Sequence, residues 1–118
     1  MQVNIQARGF VLTEALRNYI EKRLKFAVAR NDNVVMRAHI RLADINEPRG
    51  GVDKRCQVAL ALAGQCNIVI EDTQADLYFA IDRACDRAMR TLTRRLVRSR
   101  QHLHEALAFS QPMADLQM

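Results

Sequence analysis

The chain has 118 residues, enough for one domain but too few for two separate cores. Its residues are 49% hydrophobic and 26% charged, which excludes a disordered or low-complexity chain. Eighteen Lys and Arg residues against 13 Asp and Glu residues give a formal net charge of +5. A basic domain of this size favours a polyanionic partner, either a nucleic acid or an anionic membrane surface.

The first half of the chain alternates between strand and helix patterns. Residues 2–8 alternate apolar and polar side chains, the period of a half-buried strand. Thr13 suits the N-cap of an amphipathic helix over residues 13–29. Strand alternation resumes over residues 34–43. The apolar face of this second strand is predicted to comprise Met36, Ala38, Ile40 and Leu42.

The middle of the chain is predicted to form a loop followed by a β-hairpin. Residues 44–53 contain Pro and Gly and are predicted to form the loop. Strands over 54–62 and 66–71 follow, and the short turn between them predicts antiparallel pairing. The apolar face of the fourth strand is predicted to comprise Cys66, Ile68 and Ile70.

The last element is predicted to be a long helix that begins near Asp72 and Thr73, residues that suit a helix N-terminus. Its apolar residues keep a helical period over about seven turns. They are Leu77, Ile81, Ala84, Cys85, Ala88, Leu92, Leu96 and Leu103. After Ala108 the periodicity weakens, which predicts a flexible C-terminal tail.

The order β-α-β-β-β-α predicts an α+β fold. Strands with a single apolar face need cover, and the two amphipathic helices supply it. We therefore expect a two-layer sandwich with a four-stranded sheet and both helices on one face. The domain is expected over residues 1–107 and the tail over 108–118.

Basic residues concentrate on one side of the last helix. Five arginines recur there at steps of three and four, within about 80° of one another and nearly opposite the apolar stripe. They are Arg83, Arg87, Arg90, Arg94 and Arg98, which we call the arginine stripe. A helix face that is only solvated usually mixes both charge signs, so the stripe indicates a polyanion-binding face. The alternatives are solubility and a genome that favours arginine codons.

Signs of catalysis are missing from the sequence. The cysteines Cys56, Cys66 and Cys85 have no metal-ligand spacing and are expected to be buried thiols. His102 and His104 point about 200° apart on a helix and cannot chelate one ion together. We expect no enzyme activity, no cofactor, no metal and no small-molecule substrate. Without a long apolar segment or a signal-peptide pattern, we also expect a cytoplasmic protein with no membrane partner.

Two segments resemble the ribosome hibernation promoting factor and protein Y family. The first is Met-Gln-Val-Asn-Ile-Gln at the start, followed by Thr-Glu-Ala-Leu-Arg-Asn-Tyr-Ile-Glu-Lys-Arg-Leu over residues 13–24. The second is Glu-Asp-Thr-Gln-Ala-Asp-Leu-Tyr-Phe-Ala-Ile-Asp over residues 71–82. The resemblance covers about residues 1–100 and is to the short form of the family, which lacks the C-terminal dimerisation domain of the long form.

The resemblance implies a stationary-phase translation factor. Such a protein lies as a monomer in the channel of the small ribosomal subunit, against its rRNA, where mRNA and tRNA otherwise bind. The RNA-binding residues that it implies are Lys22, Arg23, Lys25, Arg83, Arg87, Arg90, Arg94, Arg95 and Arg98. Because no aromatic platform for bases is evident, we expect recognition of phosphates and shape rather than of sequence.

Two other hypotheses remain at this stage. A regulatory interaction module would use the arginine stripe to bind an acidic protein partner. A generic double-stranded RNA-binding domain also packs helices on a sheet, but it normally begins with a helix, whereas this chain begins with a strand. For the ribosome-binding hypothesis, replacing Arg87, Arg90 and Arg94 with Glu is expected to abolish binding without altering the fold.

Overall fold

The computed structural model describes residues 1–31, 33–45, 53–64 and 66–116, with side chains described as far as Arg98. Six elements follow one another in the predicted order. They are β1 (Gln2–Arg8), α1 (Glu14–Val28), β2 (Val35–Asp44), β3 (Lys54–Leu62), β4 (Ile68–Gln74) and α2 (Leu77–Leu116). The predicted α+β fold is confirmed.

The four strands form one mixed sheet in the order β1-β2-β3-β4. The first two strands pair in parallel, and α1 supplies the crossover connection that a parallel pair requires. The other neighbours are antiparallel, which confirms the predicted hairpin of β3 and β4. The register aligns Ile5, Ile40, Val58 and Ile70 across all four strands, so one face of the sheet carries a continuous apolar row.

Both helices pack on this apolar face and share one core with it. Thr13 caps α1, because its Oγ1 accepts a hydrogen bond from the Leu16 backbone N–H at 3.1 Å. Ile20 and Leu24 of α1, like Ile81 and Leu92 of α2, are completely buried. The helices also contact each other, so α1 and α2 lie side by side over the sheet.

The start of β2 differs from the prediction. Met36 was expected in the core but is 61% exposed, whereas Val35 is buried. The register against β3 shifts between Val35 and Arg37, and from Ala38 onward the predicted alternation holds. Such a shift places two successive residues out of strict alternation, which a period-two pattern cannot express.

The boundary between β4 and α2 also differs from the prediction. The strand continues to Gln74 and the helix begins at Leu77, whereas the sequence predicted a helix from Asp72. The reason is the partner strand: β3 pairs with β4 as far as Lys54 opposite Gln74, and this ladder outweighs the local preference of Asp72 for a helix N-terminus. At the other end, Cys66 precedes β4 and is exposed, so its predicted place in the core is wrong.

Helix α2 is 40 residues long, about 60 Å at the usual rise per residue. It remains helical to Leu116, through the segment predicted as a flexible tail, and the division at residue 107 stays a prediction. The side chain of Leu103 and most of the predicted loop 44–53 lie outside the described residues. Within the described part of the chain, no helix is both long and apolar enough to cross a membrane.

Candidate nucleic-acid interface

The arginine stripe lies on the exposed side of α2. All five of its residues are exposed, whereas Ala88, Leu92 and Leu96 on the opposite side of the helix are buried. This arrangement follows from the 3.6-residue period, which separates the apolar and basic residues onto opposite sides. The surface of α2 that faces away from the sheet is therefore basic.

Two arginines of the stripe are tied to a buried carboxylate on β4. The Asp72 side chain is only 6% exposed. Its Oδ2 accepts a hydrogen bond from Arg87 NH1 at 3.2 Å and lies 3.7 Å from Arg83 Nε, while its Oδ1 accepts from Gln74 Nε2 at 2.7 Å. Arg87 NH1 also donates to the Glu71 carbonyl at 2.8 Å. A buried carboxylate needs such partners, so Arg83 and Arg87 hold α2 against β4.

The other described arginines of α2 differ in their partners. Arg90 pairs with Asp86 one turn earlier on the exposed surface, an arrangement that contributes little to stability. Arg95 donates to the carbonyls of Cys66 and Asn67, with NH1–O distances of 2.6 and 3.3 Å, and so fixes the segment before β4. Arg94 and Arg98 make no ion pair with any described residue.

Helix α1 carries three of the predicted contact residues, of which one is ion-paired and two are not. Arg23 Nε lies 3.0 Å from Asp82 Oδ1 on α2, and Tyr19 donates its hydroxyl to the same oxygen at 2.6 Å. That hydrogen bond, together with burial, raises the pKa of Tyr19 to about 12. Arg23 thus joins the two helices. Lys22 and Lys25 are exposed and form no ion pair within the described part of the chain.

The nine predicted contact residues lie on two adjacent helices, a region that we call the basic helix surface, and they are of two kinds. Five are held by partners within the protein, and four project without one among the described residues. Three carboxylates, those of Asp72, Asp82 and Asp86, face the nine cations. The nine cations and the three carboxylates that pair with them carry an excess of six positive charges.

A cavity of about 870 Å³ opens in this surface between the end of α1 and the outer side of α2. Three of its arginines were predicted from the sequence as RNA-binding residues, whereas the cavity itself was not predicted. Arg87, Arg90 and Arg94 contribute to the wall, together with Phe26 of α1 and Arg30 just after that helix. The signal in the sequence is that Phe26 lies off the apolar stripe of α1, where a ring that is not part of the core has to face solvent.

The open face of the sheet is a second basic surface, on the side away from the helices. Arg37 and Arg41 project from β2 and Arg8 from β1, and all three are exposed. Arg55 lies 3.9 Å from Glu71 across the strands. A smaller cavity of about 550 Å³ lies among Arg8, Arg41 and Arg55.

The described residues contain no group of three or more His, Cys, Asp or Glu side chains that could hold a metal ion. Cys56 and Cys85 are buried as expected, and burial raises the pKa of both thiols. His39 lies on the open face of the sheet, apart from the basic helix surface. The side chains of His102 and His104 lie outside the described residues.

Comparison with known proteins identifies the family of this chain. Residues 3–100 match the family described as sigma 54 modulation protein / S30EA ribosomal protein. The chain belongs to this family. The match confirms the resemblance seen in the sequence and spans α1 and the part of α2 that carries the arginine stripe. No curated protein matches the sequence.

Solved structures agree with this S30EA assignment. The chain is 29% identical to the N-terminal domain of protein Y from Thermus thermophilus, with a TM-score of 0.67, over 80% of this chain and 98% of that one. A ribosomal subunit interface protein from Coxiella burnetii shares the fold, with a TM-score of 0.68 and 19% identity, over 82% of this chain and 99% of that one.

Proposed function

We propose that this S30EA-family protein binds the small ribosomal subunit through rRNA phosphates. In this proposal the basic surface of α1 and α2 occupies the channel for mRNA and tRNA, and the bound protein silences translation. The observation that carries the proposal is the excess of six positive charges over the nine predicted contact residues and their carboxylate partners, with Lys22, Lys25, Arg94 and Arg98 unpaired within the described part of the chain. The family assignment agrees with a ribosomal partner, as does the similarity of the fold to a ribosomal subunit interface protein from Coxiella burnetii.

The cations that have partners within the protein and those that have none differ in how they would contact phosphates. Asp72 holds the side chains of Arg83 and Arg87 in place, so these residues lose little further rotamer freedom when a phosphate approaches their exposed sides. Arg94 and Arg98 are free to pair directly, and guanidinium groups bind phosphate oxygens in a bidentate manner. On binding, Arg90 would leave its weak ion pair with Asp86 and contact a phosphate instead.

The proposed action is binding and occlusion rather than catalysis. Phosphate contacts need no cofactor and no reacting group, and they position a protein on RNA without reading its sequence. We infer that the protein acts in the cytoplasm as a monomer on each small subunit. We further infer that it competes there with mRNA and tRNA for the same site.

Cosedimentation with purified small subunits over a salt series tests the electrostatic mechanism. Neutralising about six phosphates gives a log-log slope of the association constant against salt of roughly −4 to −5. Binding that is independent of salt would contradict phosphate contacts. A complex that survives nuclease treatment and contains an acidic protein would instead support the interaction-module hypothesis.

Charge reversal at two arginines without an ion-pair partner tests which face of the protein binds the small subunit. Arg94→Glu with Arg98→Glu is expected to abolish cosedimentation at physiological salt and leave the melting curve unchanged. The matched control is Arg37→Glu with Arg41→Glu on the open sheet face, which changes the net charge by the same amount. Equal loss in both variants would mean that net charge alone drives association.

Arg87 is not suitable for this test, contrary to the expectation from the sequence. Its guanidinium lies against the buried Asp72 carboxylate, so Arg87→Glu would bring two carboxylates together and destabilise the contact between α2 and β4. The triple replacement of Arg87, Arg90 and Arg94 therefore changes stability as well as charge. Loss of binding in that variant would not isolate the phosphate contacts.

A further inference from the structure

The cavity between α1 and α2 contains an aromatic ring that the core does not explain. Phe26 is 69% exposed on the last turn of α1, while its neighbours Ala27 and Val28 are buried. Burying a phenylalanine side chain is normally favourable by about 2 kcal/mol, so nothing in the fold itself favours leaving this ring in solvent. The ring lines a cavity that is otherwise rich in arginine.

The rest of the lining combines positive charge with a partly apolar wall. Four arginines contribute to it: Arg30, Arg87, Arg90 and Arg94. Ile70 and Met89 supply apolar surface and Thr91 and Thr93 supply hydroxyl groups, and none of the described lining residues is acidic. The volume, about 870 Å³, is within the range of pockets that enclose small molecules.

We propose that this cavity holds an unpaired RNA base, stacked on the ring of Phe26, with the neighbouring phosphates on Arg30 and Arg94. The inference rests on the proposed function, because it specifies how part of the same basic surface contacts RNA. It also revises the expectation that the protein reads phosphates and shape alone.

The combination of ring and guanidinium groups favours a nucleotide over an acidic peptide. A base offers a flat aromatic face to Phe26, and every base does so regardless of sequence. Its phosphates meet the arginines in the same ligand, so both features of the cavity are used at once. An acidic peptide would pair with the arginines and gain little from the ring. Dependence of binding on Phe26 therefore separates the two ligands.

The experiment compares two RNA probes on three proteins. The probes are a 12-residue oligoadenylate and an abasic 12-residue chain of the same charge. The proteins are the wild type, Phe26→Ala and the control Phe79→Ala, which removes another exposed phenylalanine that does not line the cavity. Because both rings are exposed, neither change is expected to lower the melting temperature appreciably.

We expect Phe26→Ala to weaken oligoadenylate binding by roughly 5- to 150-fold, the loss that corresponds to one stacked base. Abasic binding and the salt slope are expected to stay unchanged, because no phosphate contact is removed. Phe79→Ala is expected to alter neither. Equal effects of Phe26→Ala on both RNA probes, or no effect on either, would overturn the inference.

Two further measurements separate this inference from the proposed function. If wild-type protein cosediments with small subunits and Phe26→Ala binds oligoadenylate as tightly as wild type, the inference fails and the proposed function stands. If Phe26 is needed for oligoadenylate but small subunits do not bind, the proposed function fails alone. A third outcome concerns a 12-residue poly-glutamate. If Phe26→Ala weakens poly-glutamate binding as much as it weakens oligoadenylate binding, the cavity binds an acidic protein and the inference of a stacked base is overturned.

Discussion

Removal of the Asp72 carboxylate is expected to loosen α2 from the sheet. Its side chain is 6% exposed and accepts hydrogen bonds from Arg87 and Gln74, with Arg83 at ion-pair distance. Breaking a fully buried ion pair by deleting one partner costs about 3–5 kcal/mol. Here both arginine side chains are 43–49% exposed and become rehydrated, so we expect Asp72→Ala to cost about 2–3 kcal/mol.

A chemical and a thermal denaturation experiment measure this cost. At roughly 4 °C per kcal/mol for a domain of this size, the melting temperature of Asp72→Ala should fall by about 10 °C. The midpoint in urea, followed by circular dichroism, should fall in parallel with no change in slope. The control is Asp86→Ala, which breaks the exposed pair with Arg90 and should cost less than about 0.5 kcal/mol. Equal losses in the two variants would refute the argument from burial.

Three further predictions follow from the core, the thiols and the contact between helices. Leu92→Ala creates a cavity under α2 and should cost about 2–5 kcal/mol in urea denaturation; a neutral result would place α2 off the sheet. In a thiol-modification assay, only Cys66 should react rapidly in the native protein, whereas all three cysteines should react in denaturant. Burial shields Cys56 and Cys85 and raises the pKa of both thiols, that of Cys85 to about 11, so that little reactive thiolate forms at neutral pH. Tyr19→Phe should be less stable than wild type at neutral pH. That difference should shrink as the pH rises from 10 to 12, because the unfolded state loses the Tyr19 proton first; a constant difference would contradict the Asp82 hydrogen bond.

Most of the fold could be predicted because it follows from periodicity. The alternation in β1 and β3 and the helical spacing in α1 and α2 each depend on residues within one element. The errors arose where a neighbouring strand decides the outcome. A register shift against β3 exposes Met36, and pairing with β3 keeps Asp72 in a strand although it suits a helix N-terminus.

The basic surface was predictable in outline and not in detail. Helical geometry alone places the arginine stripe opposite the core, as observed. The internal partners were not predictable, because they join residues far apart in the chain: Tyr19 and Asp82 are 63 residues apart, and Arg95 and Cys66 are 29 apart. Such contacts depend on the packing of whole elements, which a single sequence does not encode in any local pattern.

Directed hydroxyl-radical cleavage tests most directly whether the helix surface faces rRNA. An iron chelate is attached to Val97→Cys, an exposed position between Arg94 and Arg98, or to Asn4→Cys on the open sheet face, each in a Cys66→Ser background. With small subunits bound, position 97 should give the stronger cleavage, confined to the rRNA that lines the channel for mRNA and tRNA. Stronger cleavage from position 4, or none in the small subunit from position 97, would contradict this orientation.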